Sequence, residues 1–171
     1  MIKLIKPICL IVALALVLSL VAVALPTSVA KAAETLYESY TTGDDESYTC
    51  WGSTWQAQTF TPTSNHNITR AEMLMVRDSE FTGTVTVSIR NTDGSEHPTG
   101  SDLTAASFNA KVVPTSAGYV SATFSTPISV TSGVKYALVV RSAKTSGEET
   151  QVWWRADASS STFSGGNMES S

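Results

Sequence analysis

Residues 84–91, TVTVSIRN, alternate in polarity without a break. Val85, Val87 and Ile89 fall on one side, and Thr84, Thr86, Ser88 and Arg90 on the other. A period of two is what a strand with one buried face needs, because successive side chains point to opposite faces of a sheet. GYVSATFST repeats the pattern, with Val120, Ala122 and Phe124 against Tyr119, Ser121 and Thr123. In VKYALVVRS the stripe is Val134, Tyr136, Leu138 and Val140, with Ala137 and Val139 behind it. Apolar residues on both faces mark a central strand. ITRAEMLMVRD reads the same way, with Met73 and Met75 opposed to Leu74 and Val76. WQAQTFTP, TLYESYT and the stretch from Leu103 to Val113 are weaker strand candidates.

Turn chemistry separates these runs. Asp93-Gly94 marks a tight turn, Glu96 to Gly100 reads as a loop, Thr131-Ser132-Gly133 precedes a strand, and Ser142 to Glu149 is polar. Short strands in series, with no helical periodicity between them, predict an all-β chain folded as an antiparallel two-sheet β-sandwich, jelly-roll-like. That domain occupies residues 34–158. The Ser- and Gly-rich residues 159–171 read as a tail or linker.

Residues 1–33 follow a different logic. Lys3 and Lys6 precede an apolar run from Ile8 to Leu25 broken only by Ser19, then Pro26 and small residues. This is the plan of a signal peptide helix, and it places the domain outside the cell or on its surface. The alternative is a retained anchor, since the run reaches the lower edge of bilayer-spanning length. Only in that case does the chain have a membrane partner.

Cleavage would take three of the eleven basic residues and none of the fifteen acids, moving the formal charge from −4 to about −7. Such a balance argues against nucleic acid as a partner, which would require a basic patch. One cysteine, Cys50, remains, so no disulfide framework holds the domain; the residue reads as a small buried hydrophobe.

Three segments taken together, WQAQTFTP, TGTVTVSIRNTDGSEHPTGSDL and PISVTSGVKYALVVRS, resemble secreted bacterial and archaeal β-sandwich modules of the choice-of-anchor type. The resemblance spans Trp55 to Trp154. It implies a jelly-roll-like, non-enzymatic module of a surface protein, with Gly133, Tyr136 and Leu138 as packing residues.

The chemistry is sparse. His66 and His97 sit in loop-like sequence without metal-ligand spacing, and there is no nucleophile elbow. Asn67-Ile68-Thr69 matches the N-glycosylation triplet. Asp44, Asp45 and Glu46 form an acidic loop that makes calcium a candidate cofactor, set against a solvated charge cluster. The distinctive stretch is QVWWRAD. On a strand, Trp154 enters the core with Val152, while Trp153 shares the opposite face with Gln151 and Arg155. A ring beside planar polar groups suits stacking on a sugar or on a protein partner, so Trp153, Arg155 and Gln151 form the candidate binding site. Trp51 joins them, and Trp55 extends the same patch. The reading that follows is a secreted, non-catalytic module for an extracellular polysaccharide or surface protein. A structural spacer and a small glycan hydrolase are the alternatives.

Overall fold

Strand β1 (Glu46–Cys50) pairs with β8 (Val152–Ala156), β2 (Gln56–Phe60) with β7 (Tyr136–Ser142), β3 (His66–Arg77) with β6 (Gly118–Val130), and β4 (Thr84–Thr92) with β5 (Pro98–Asn109). All four pairs are antiparallel. The chain is therefore one long double ribbon, closed at the β4–β5 hairpin and rolled onto itself. Rolling gives two sheets, β1-β8-β3-β6 and β5-β4-β7-β2, and β9 (Met168–Ser170) adds an edge to the second. This is the jelly roll that the alternation predicts. The computed structural model describes residues 33–50, 52, 54–143, 151–159 and 162–171, of which Leu36–Ser171 fold as one unit. Residues 1–32 of the expected signal peptide, Trp51, and residues 144–150 of the polar loop lie outside the described residues.

The core lies between the sheets and is built as the period of two dictates. Val85, Val87 and Ile89 of β4, with Tyr136 and Val140 of β7, face Met73 and Met75 of β3, Val120, Ala122 and Phe124 of β6, and Trp154 of β8. Cys50 fills a fully buried position in the same core, where burial pushes its thiol up to about 12 and keeps it protonated. Two polar bridges tie the sheets together beside it. Gln56 Nε2 on β2 donates to Thr49 O on β1 at 3.0 Å, and Ser142 Oγ on β7 donates to Cys50 O. Register shifts between Ile68 and Arg70, and between Ile89 and Asn91, interrupt the two long pairings; such irregularities let a strand bend around a core.

Several sequence expectations meet a different outcome. TLYESYT is not a strand as a unit: Leu36 to Thr42 carry no strand, and β1 begins at Glu46 and takes in Thr49 and Cys50. Val134 does not join the β7 stripe; its N–H bonds to Thr131 O in the turn where Gly133 has φ +77°, and its side chain is exposed. Pro98 to Gly100 are not loop but the first residues of β5, Pro98 pairing with Thr92. Proline is tolerated there because it opens an edge strand. The tail is not a linker. Met168, Glu169 and Ser170 pair with Gln58, Ala57 and Gln56, and Phe163 and Met168 pack on the core. Among the described residues no helix is long and apolar enough to cross a membrane.

Candidate functional site

β8 lies between β1 and β3, so a residue on its outward face has neighbours on both sides. Trp154 points inward and is 8% exposed. Trp153 points outward and half-buried, paired with Thr49 of β1 and Val76 of β3. The neighbouring tryptophans thus divide between core and surface as alternation requires.

Arg155 shares the outward face and pairs with Ser47. Its guanidinium is already engaged within the domain. Nη1 donates to Ser47 Oγ at 2.7 Å, and Nη2 donates to Asp44 O and lies 3.8 Å from Asp44 Oδ2. Nε is buried without an acceptor among the described residues. Arg155 therefore holds the β1 approach against β8 and flanks Trp153 as a fixed group. Gln151 sits just before β8, where its backbone exchanges two bonds with Asp78: Gln151 N donates to Asp78 Oδ2 at 2.9 Å, and Asp78 N donates to Gln151 O at 3.0 Å. Trp51 is outside the described residues. Trp55 does not extend the patch. It packs on Ala57, Ala137 and Val139, on the outer face of the other sheet.

The acidic loop is occupied by the chain's own donors. Asp45 Oδ1 accepts from Ala158 N at 2.8 Å and Oδ2 from Ser159 Oγ. The Ser159 hydroxyl first, then the Ala158 N–H, lowers the Asp45 pKa. Asp44 serves Arg155, and Glu46 Oε1 accepts from Ser47 N at 3.0 Å. Among the described residues no three His, Cys, Asp or Glu side chains converge to hold a metal ion. The histidines are apart: His66 opens β3, with Nε2 3.1 Å from Glu38 Oε2, and His97 lies 2.7 Å from Glu169 Oε2.

The outward face of β1-β8-β3-β6 carries residues that the sequence alone does not assemble. Leu74 and Val76 of β3 are half-buried on it, and Tyr119 of β6, paired with Leu74, is exposed. Ser121 Oγ donates to Glu72 Oε1 at 2.9 Å, and Arg70 Nη1 lies 3.2 Å from the same oxygen. Rings, an apolar floor and fixed polar groups on one open face can stack on flat C–H surfaces and exchange hydrogen bonds with hydroxyls. Comparisons with protein-family models, curated proteins and solved structures give no match.

Proposed function

We propose that this domain is a non-catalytic module of a secreted or surface protein, and that it binds carbohydrate on the outer face of the four-stranded sheet. The observation that carries the reading is Trp153: a half-buried indole on a sheet face, beside Val76 and next to the clamped Arg155. Arg155 supports the site by holding the β1 side of it in place, and Gln151 by joining β8 to Asp78. The leader-like N-terminus and the resemblance to choice-of-anchor modules support the location. The test is intrinsic fluorescence of the full chain across a panel of polysaccharides. A ligand should perturb the emission, and Trp153→Ala should abolish the response while leaving the melting temperature within a few degrees. A folded chain that responds to none of the panel would overturn the reading.

One observation favours a second reading, a structural spacer. Both terminal nitrogens of Arg155 are used inside the domain, so it resembles a brace more than a ligand contact. A response to glycan that Trp153→Ala leaves intact would remove the spacer reading and move the site away from Trp153.

A further inference from the structure

We propose that the glycan surface runs diagonally from Trp153 across β3 to Tyr119 on β6, and that it takes a neutral polysaccharide in an extended, ribbon-like conformation. This rests on the carbohydrate reading. Tyr119 is 60% exposed at an outward position whose successors on the same face are Ser121 and Thr123. A single exposed ring is ordinary on a protein surface, so any role for it has to come from what lies beside it.

The register supplies one. Trp153 stands opposite Val76, and Tyr119 opposite Leu74, two residues along the same strand and on the same face. The two rings are therefore two strands apart and one same-face step offset, about 12 Å between Cα atoms from ordinary sheet spacings. Val76 and Leu74 make a half-buried apolar floor between them. A short run of linked pyranose rings bridges that interval with a C–H face over each aromatic.

Polar groups lie alongside. Ser121, opposite Glu72, and Arg70 together fix the Glu72 carboxylate next to the Leu74–Tyr119 pair, where it can accept from sugar hydroxyls. The charges on this face are matched, Arg70 with Glu72 and Arg155 with Asp44, and the whole chain is net acidic. Neither feature selects a polyanion. Tyr119, Ser121, Thr123, Arg70 and Glu72 are all exposed, so among the described residues the β6 side of the face is open, and Leu74, Val76 and Trp153 are half-exposed beside it. That suits a chain passing across the sheet rather than a chain end held in a pocket.

The experiment titrates cello- and chito-oligosaccharides of increasing length into the full chain by calorimetry. Affinity should rise with length until a ligand spans both rings. Tyr119→Ala should remove that gain, weakening the longest ligand about five- to tenfold with little effect on the shortest, and Tyr119→Phe should restore it. Trp153→Ala should weaken every length. If Tyr119→Ala binds all lengths like wild type while Trp153→Ala does not, the extension to Tyr119 is wrong and the carbohydrate reading stands. If neither ligand series binds but another glycan does through Trp153, the extended neutral chain is the wrong ligand class. Absence of binding by any glycan overturns both.

Discussion

Asp102 of β5 lies between two arginines on the outer face of the five-stranded sheet. Its Oδ1 accepts from Arg90 Nε of β4 at 2.7 Å and from Arg141 Nη1 of β7 at 3.2 Å, and its Oδ2 from Arg141 Nη2 at 2.6 Å. One carboxylate thus joins three strands. Its partial burial works to raise the pKa, but the hydrogen bonds from Arg141 and Arg90 and the Arg141 charge outweigh it and bring the pKa to about 2. A carboxylate depressed in the folded state contributes stability that is present above its ordinary value of 3.8 and lost as pH falls from there through about 2. Asp102→Asn should therefore destabilise the domain by about 1–2 kcal/mol at neutral pH, and the difference from wild type should shrink in melts taken toward pH 2. An unchanged gap across that range would show that the arginines find other partners. Sequence alternation places Arg90 outward, as observed. It does not supply Asp102, because the β4–β5 register shifts between Ile89 and Asn91 and that shift leaves no mark in the pattern. The division between Trp153 and Trp154 was legible for the opposite reason: five residues of regular strand keep the period intact.

At the scale of elements, the least legible part was the C-terminal tail. Ser, Gly and Asn dilute its apolar pattern, yet it docks through backbone bonds to β2 as well as through the side chains of Phe163 and Met168. Asn167 N donates to Thr59 Oγ1 at 2.7 Å, Thr59 N donates to Asn167 O at 2.9 Å, and β9 follows directly. Gly166 permits this contact, since any Cβ there would overlap the carbonyl of Thr59. Gly166→Ala should lift the tail from β2, seen as faster amide exchange at Met168–Ser170 and a lower melting temperature; wild-type protection at those amides would refute the role. The N-terminal approach is held by different means. Tyr37 stacks on the His66 ring at 3.9 Å with the planes 2° apart, and Tyr40 donates to Asp157 Oδ2. TLYESYT has the Thr and Tyr content of a strand, but Tyr37 and Tyr40 lie three residues apart and dock on other elements instead of alternating across a sheet. The outward rings of the four-stranded sheet were half legible. Alternation puts Tyr119 and Leu74 on faces of their own strands, but which strands lie side by side is fixed by the roll and not by any local pattern.

For the molecule as a whole, connectivity decides more than composition. Each of the four founding pairs joins segments from opposite halves of the ribbon, and the outermost pair, β1 with β8, joins Glu46 to Ala156. Distant pairing carries a large closure entropy and makes folding slow, on the order of milliseconds to seconds for sandwiches of this kind. Stopped-flow refolding should reach that range, and a microsecond phase accounting for the full signal would contradict it. The hairpin β4–β5 is the one founding pair with a short connection, so it is the natural place for order to begin and spread outward. The β1–β8 closure then has a temporal meaning. A chain that emerges from its N-terminus holds residues 46–50 without their lateral neighbour until residues 152–156 have come through, and the face that carries Trp153 does not exist before then.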